Sequence, residues 1–324
     1  MADCLDIVSV RPQRYRAAMS VYTRGIIHFL PAAADARDFR RPIVALESSV
    51  LAQGLPIPAN READRRCRAV ILERGALPCI TAIVRGVPTI GLDGADLERF
   101  LAREGISKVS SRDIPWAMTQ RLDGATTVAA ALAMCTAAGL EVFATGGIGG
   151  VHRGAPFDES ADLAELGRSP IVTVCAGAKS ILDLPATVER LETLGVTVIG
   201  YRTDEFPGFF TVRTGLSLSA TADTPAEIAA AYRASRALGR PGAILVVQPP
   251  PADSALDADV VETAVTIALA EARAVGVRGA AVTPFLLAAV ERATGGRSLA
   301  TNLALLEANA ALAAQIAVEL SRGG

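Results

Sequence analysis

From position 43 onward the chain alternates short apolar runs with longer stretches in which apolar residues recur every three or four positions. The runs 43–46, 80–84, 89–92, 141–145, 171–176, 196–201 and 243–247 are four to six residues long, too short for core helices, and read as buried strands. Runs 80–84 and 89–92 flank Arg85-Gly86 and predict a hairpin. Helical spacing marks 61–74. Thr224-Pro225-Ala226-Glu227 has the spacing of a capping box with proline at the first helical position, so a helix should open there and run to about Leu238. The last third reads as three helices over 257–275, 283–294 and 298–320. Alternation of this kind predicts an α/β fold: a mainly parallel central sheet flanked by helices, with a helical C-terminal portion. Residues 1–41 are Arg-rich, interrupted by proline and without clear period. They are expected to form an extension outside a single domain at 42–324.

Composition narrows the function. A chain of 324 residues with 51% hydrophobic content can bury a large core. Its formal charge is −2 and it has no block of Lys or Arg, which argues against a polynucleotide partner. No run of about 18 apolar residues suggests a membrane span, and Asp6, Arg11, Arg14 and Arg16 interrupt the start where a signal core would lie. A cytoplasmic protein is expected. The five cysteines lack a Cys-x-x-Cys pair, so they read as small buried hydrophobes, not as disulfides or zinc ligands.

Of the 32 basic residues, only Lys108 and Lys179 are lysines. A lysine amine can lose its proton in a desolvated site and attack a carbonyl carbon to form a Schiff base, whereas a guanidinium stays protonated. The two lysines are therefore candidates for chemistry, against the alternative that an Ala- and Arg-rich composition leaves a few by accident.

In open α/β sheets, ligands bind beyond the carboxyl ends of strands, so polar residues just after apolar runs come first. Glu47 follows 43–46 directly. Partial burial there would raise its pKa and suit it to donate a proton, though a helix cap or surface ion pair would use the same residue. Ala144-Thr145-Gly146-Gly147-Ile148-Gly149-Gly150-Val151-His152-Arg153-Gly154 is a glycine-dense loop after a strand, where backbone N–H groups could meet an anion. Phe157-Asp158-Glu159-Ser160-Ala161-Asp162 could hold a hard divalent cation through oxygen ligands, or be an acidic turn capping a helix from Ala161. Lys179 lies just past the apolar run 171–176, where low polarity favours a nucleophilic amine. Lys108 precedes Asp123-Gly124-Ala125-Thr126-Thr127, expected as a loop entering a helix whose N-terminus near Thr126 could bind phosphate.

Several of these stretches resemble the pseudouridine-5'-phosphate glycosidase family. They are Val44-Ala45-Leu46-Glu47-Ser48, the loop ending in His152-Arg153-Gly154, Ser160-Ala161-Asp162-Leu163 and Val174-Cys175-Ala176-Gly177-Ala178-Lys179-Ser180. Tyr201-Arg202-Thr203-Asp204-Glu205-Phe206-Pro207 and Val282-Thr283-Pro284-Phe285-Leu286-Leu287 join them, and the match runs over about 42–320. The resemblance implies an enzyme that interconverts pseudouridine 5'-phosphate with uracil and ribose 5-phosphate. It implies dependence on Mn²⁺, with Mg²⁺ or another divalent ion as substitute, and a homotrimer. A lysine forms a covalent adduct with C1' of the ring-opened ribose and a glutamate donates a proton. On this chain they fall on Lys179 and Glu47, and the metal-binding aspartate on Asp158. Substrate contacts fall on Ser160, Ala161, Asp162 and Val128, the phosphate-side lysine on Lys108, and polar pocket residues on His152 and Asn302.

The chain also departs from the family. Ala52-Gln53-Gly54-Leu55-Pro56 stands where Ala-His-Gly-Met-Pro is usual, the segment before Asp158 is about two residues shorter, and Gln248-Pro249-Pro250-Pro251 replaces Asn-Pro-Ile-Pro. Chemically, a C-glycosidic bond has no leaving oxygen or nitrogen to protonate, so a lysine iminium at C1' serves as electron sink and an acid must protonate uracil C5. Two rivals remain open: a Schiff-base lyase or aldolase on another sugar phosphate, and a sugar-phosphate-binding regulatory protein with a dead site.

Overall fold

A computed structural model describes residues 22–24, 26–154, 157–277 and 282–323. The strands are β1 Tyr22–Arg24, β2 Ile27–Phe29, β3 Ile43–Leu46, β4 Leu77–Val84, β5 Val87–Ile90, β6 Ile106–Val109, β7 Asp123–Thr126, β8 Val142–Ala144, β9 Val151–His152, β10 Val172–Cys175, β11 Leu182–Asp183, β12 Thr197–Tyr201, β13 Thr221–Ala222 and β14 Ile244–Val247. The helices are α1 Pro31–Asp38, α2 Ala59–Glu73, α3 Gly94–Ala102, α4 Ile114–Thr119, α5 Val128–Ala138, α6 Ala161–Leu166, α7 Leu184–Thr193, α8 Pro225–Ala237, α9 Ala258–Ala274, α10 Val282–Ala293 and α11 Arg297–Ser321. The predicted runs and the three C-terminal helices all appear, and Thr224 closes the capping box with Glu227 as its spacing predicts.

The central sheet runs β1-β2-β5-β4-β3-β8-β10-β14-β12-β13. From β4 through β3, β8, β10, β14 and β12 to β13, every neighbour is parallel. Such strands are covered on both faces, which explains why β10 and β14 are buried along their whole length. The hairpin β4–β5 is antiparallel, with Arg85 and Gly86 both at positive φ in its turn. A Cβ on Gly86 would lie 2.6 Å from the Met118 carbonyl oxygen, so glycine is required there for space as well as conformation.

Two expectations change. The segment expected outside the domain joins it, because β2 pairs with β5 and Ile27, Phe29, Ala33, Ala34 and Ala36 are buried. Its apolar residues are too sparse to show a period, yet they cover the sheet edge; residues 1–21 lie outside the described residues. Segment 123–127 is not a loop. It forms β7, parallel to β6 and antiparallel to β4, and Gly124 lets Val109 pack where a Cβ would collide at 2.5 Å.

Helix α11 is long and apolar enough by length and composition to cross a membrane, which the search for an unbroken apolar run does not register. It packs on α2, α8, α10, β3, β8 and β10, burying Leu305, Leu312 and Ile316 among others. Full burial of each such side chain stabilises by roughly 1.5–3 kcal/mol. One polar residue on this face, Asn309, is 1% exposed. Its amide donates to the carbonyls of Thr145 (2.9 Å) and Gly146 (3.3 Å) and accepts from Gln248 Nε2 at 2.9 Å. It thereby ties α11 to the chain leaving β8 and to the end of β14.

Cys67, Cys79, Cys135 and Cys175 are buried, and burial pushes their thiols up, to about 12 for Cys67, Cys79 and Cys175. Cys4 lies outside the described residues. Asn309→Leu should lower stability by about 2–3 kcal/mol in urea unfolding, because it leaves buried acceptors and the Gln248 amide without partners. A loss below about 0.5 kcal/mol, the scatter expected between independent sites, would show that this polar tie contributes nothing.

Candidate active site

Strands β3 and β8 are parallel with Leu46 opposite Ala144, so the next residues out, Glu47 and Thr145, face one another beyond the carboxyl edge. Thr145 Oγ1 donates to Glu47 Oε1 at 2.5 Å. Glu47 is 7% exposed, and removal from water raises its pKa, partly offset by the charge of Lys179, the Thr145 hydrogen bond and Lys108. The expectation of a partly desolvated carboxyl at this strand end is met.

The glycine-dense loop that follows β8 does not cradle an anion with the N–H groups that can be traced. Ile148 N–H donates to Gly177 O (3.0 Å), Gly149 N–H to Asp162 Oδ2 (2.8 Å) and Val151 N–H to Thr187 Oγ1 (3.0 Å). The loop instead runs beside residues 176–179, where Ala176 N–H donates to Gly146 O at 2.9 Å and Lys179 N–H to Ile148 O at 3.1 Å. Gly147 permits that approach, since a Cβ there would stand 3.0 Å from Gly177 O and 2.6 Å from the Phe209 ring; Gly149 admits a different neighbour, with a Cβ 2.2 Å from Ser160 Oγ. Lys179 is therefore held on a backbone rail. Arg153 braces the turn beyond it, donating to Ser180 O (3.1 Å) and Leu182 O (3.0 Å) while a two-pronged ion pair with Glu262, 2.6 and 3.0 Å, fixes the guanidinium.

Glu47, Lys108, Thr145, Lys179 and Asn302 line one cleft of about 530 Å³, closed by Phe209, Pro284 and Leu287. Lys108 enters from β6. Much of that residue is solvent-accessible, but protein surrounds its ammonium on the cleft side; desolvation and then the Lys179 charge lower its pKa. Glu47 and Asp162 work against that shift.

Other expected residues lie elsewhere. Thr126 is fully buried; its Oγ1 donates to Thr81 O at 2.8 Å and its N–H to Ser48 Oγ at 2.9 Å. Val128 is 1% exposed in the core. The N-terminus of α5, expected to receive phosphate, is already capped: Asp162 Oδ1 accepts from Ala129 N–H at 2.9 Å and Thr127 Oγ1 from Ala130 N–H at 3.4 Å. Ser160 caps α6, where Ala161 is the exposed first residue. None of these lines the cleft among the described residues.

The acidic turn is dispersed in the same way. Glu159 pairs with Arg190 at 2.8 Å, and both Asp162 oxygens hold backbone N–H groups. Asp158 Oδ1 lies 3.2 Å from His152 Nδ1, outside the cleft lining. Among the described residues no three His, Cys, Asp or Glu side chains form a metal-binding group. Among the described residues, Asp158 is the carboxylate of this turn engaged by neither a guanidinium nor a backbone N–H, which suits a hard cation held mostly through water.

A family model described as indigoidine synthase A like protein matches residues 32–319. A relative from Gemmatimonas aurantiaca, named pseudouridine-5'-phosphate glycosidase, is 66% identical over 87% of this chain and 92% of its own. The chain belongs to the pseudouridine-5'-phosphate glycosidase family. A relative of the same name from Herpetosiphon aurantiacus is 51% identical over 86% of this chain and 93% of its own. Among solved structures, the prealnumycin C-glycosynthase AlnA in complex with ribulose 5-phosphate aligns with a TM-score of 0.86 at 35% identity, covering 93% of this chain and 98% of that one. An indigoidine synthase A-like protein from Thermotoga maritima aligns at 0.82 and 37%, covering 87% and 94%.

Sequence reasoning missed Thr145 as the partner of Glu47 and Phe209 as a cleft wall. The first was not legible from the runs alone, because Glu47 and Thr145 are 98 residues apart and only the pairing of β3 with β8 brings them together. Nor was the second: Phe209 sits at φ 66 in an irregular segment, reached by its N–H donating to Ala176 O at 3.1 Å.

The raised pKa of Glu47 makes a prediction about stability. A carboxyl whose folded pKa lies above its unfolded value contributes stability that is present below the unfolded value, about 4.3, and lost as pH rises through the folded one. Glu47→Gln removes that ionisation while keeping an acceptor for Thr145. Its urea stability relative to wild type should therefore improve as pH rises above the ordinary carboxylate range; a difference that does not change with pH would contradict the burial argument.

Proposed function

We propose that this chain is a pseudouridine-5'-phosphate glycosidase, cleaving the C–C glycosidic bond of pseudouridine 5'-phosphate reversibly to uracil and ribose 5-phosphate. The observation that carries the proposal is the convergence of both lysines of the chain with the buried Glu47 in one cleft. The two relatives named for this activity, at 66% and 51% identity, support it.

In this proposal the amine of Lys179 bonds to C1' as the C1'–O4' bond opens and O4' takes a proton. Glu47, its pKa raised by burial, delivers a proton to uracil C5. The C1'–C5 bond then breaks: its electron pair restores the ring C5–C6 double bond, and the lysine nitrogen lone pair forms the C1'=N iminium. Water hydrolyses the iminium to ribose 5-phosphate and free lysine. Lys108 receives the 5'-phosphate, and Asn302 contacts the sugar or base. The N-terminus of α5 is given no part in phosphate binding, because Asp162 and Thr127 occupy it. We further propose that Thr126, Val128, His152, Ser160, Ala161 and Asp162 act on the substrate only through the shape of the loops they hold. The assembly is proposed to be a homotrimer, as the family resemblance implies, and cytoplasmic, as the composition leads one to expect.

A hard divalent cation, Mn²⁺ or Mg²⁺, would be held by Asp158 with water in its remaining positions. Bound there, it would supply positive charge to the acidic turn.

A second reading is favoured by the likeness to AlnA: C–C bond formation between a pentose phosphate and a different acceptor. Release of uracil separates the two. Purified protein given pseudouridine 5'-phosphate should liberate uracil, Lys179→Arg should abolish that turnover with the fold retained, and Glu47→Gln should slow it at least about a hundredfold. Wild-type uracil release by Lys179→Arg would overturn the mechanism, and no release by wild type would overturn the substrate.

EDTA should silence the enzyme reversibly, and Asp158→Ala should raise the Mn²⁺ concentration needed for half-maximal rate. An unchanged metal response in Asp158→Ala would remove Asp158 from the proposed site.

A further inference from the structure

We infer that the side-chain oxygen of Gln53 is an acceptor for a ring N–H or sugar hydroxyl of the bound substrate, an inference that rests on the proposed function. Gln53 lies in the π-helical turn Val50–Gly54, which begins just beyond Glu47, and such widened turns recur where a side chain must be re-aimed at a functional site. It borders both the cleft that holds Glu47 and Lys179 and a neighbouring cavity of about 690 Å³. Gly54, Pro284, Leu287 and Asn302 are common to both, so Gln53 stands where the two spaces meet.

Its Oε1 is buried and has no hydrogen-bond partner among the described residues. An unpaired buried acceptor carries a standing free-energy cost, and such groups in native structures call for a partner that arrives later. The orientation of the amide follows from its other end. Nε2 points at the carbonyl oxygen of Ile106, 3.4 Å away, and reversing the amide would set two acceptors against each other. That contact is long and weak, and the terminal torsion of glutamine is soft, so a small rotation presents Oε1 to a ligand at little cost. The partner must be a donor, which excludes an ionised phosphate. A free uracil offers ring N–H groups, and ribose 5-phosphate offers hydroxyls.

The test runs the reaction in the bond-forming direction and measures KM separately for uracil and for ribose 5-phosphate. Gln53→Met keeps the length of the side chain and removes the acceptor. Gln53→Met should raise one of the two KM values about tenfold, with kcat within about threefold. A rise for uracil assigns the partner to a ring N–H, and a rise for ribose 5-phosphate assigns it to a sugar hydroxyl. Both KM values within about twofold of wild type in Gln53→Met would overturn the inference. So would equal rises in both KM values, the mark of a general disturbance of the cleft. A wild-type protein that joins no uracil to ribose 5-phosphate, in either direction, would instead overturn the proposed function, and the inference with it.

Discussion

Glu47 leaves water at the end of β3 and receives in exchange one hydroxyl, that of Thr145, and the fields of two lysines. A carboxylate buried without compensation is costly enough that the group holds its proton instead. Burial does raise its pKa, while Lys179 and Lys108 pull the other way. The remainder of the cleft follows from this constraint. The hydroxyl must come from the neighbouring strand, which fixes β3 and β8 as parallel partners, and the ammonium groups must reach the same space from β6 and from the turn after β10.

The chain meets the second requirement with backbone, not with side chains. The glycine-dense loop and residues 176–179 run together through hydrogen bonds between Ala176 and Gly146, Ile148 and Gly177, and Lys179 and Ile148. A side chain at Gly147 would press on Gly177 O and the Phe209 ring, and one at Gly149 or Gly150 on Ser160 or Thr187, so the run of glycines serves close packing around this rail. Asp162 serves the same end from below, one oxygen capping α5 and the other holding Gly149 N–H. Asn309 does so from above, tying α11 to the carbonyls of Thr145 and Gly146. Two polar side chains, Asp162 and Asn309, each almost fully buried, thus fix the geometry around one carboxyl and one amine.

The parallel strands were legible because burial on both faces writes them as near-continuous apolar runs, and the C-terminal helices because their apolar stripes are long. Strand β7 was not, since Asp123-Gly124-Ala125-Thr126 has neither bulk nor alternation and owes its state to pairing with β4 and β6. Of the candidate site, Glu47, Lys108 and Lys179 could be read from their places after apolar runs and from the scarcity of lysine. The places of Thr126 and Asp162 could not: a threonine or aspartate near a helix start looks the same whether it faces a ligand or caps the helix. Only the partners distinguish the two, and here Ser48, Thr81, Ala129 and Gly149 have claimed them.

The central claim is that Lys179, not Lys108, supplies the amine that bonds to the sugar. Reduction with borohydride in the presence of ribose 5-phosphate, followed by peptide mapping, reads this directly. The reduced pentose phosphate adduct should appear on the peptide containing Lys179 and be absent from the one containing Lys108. An adduct on Lys108, or none on either lysine in protein that turns over its substrate, would contradict the assignment.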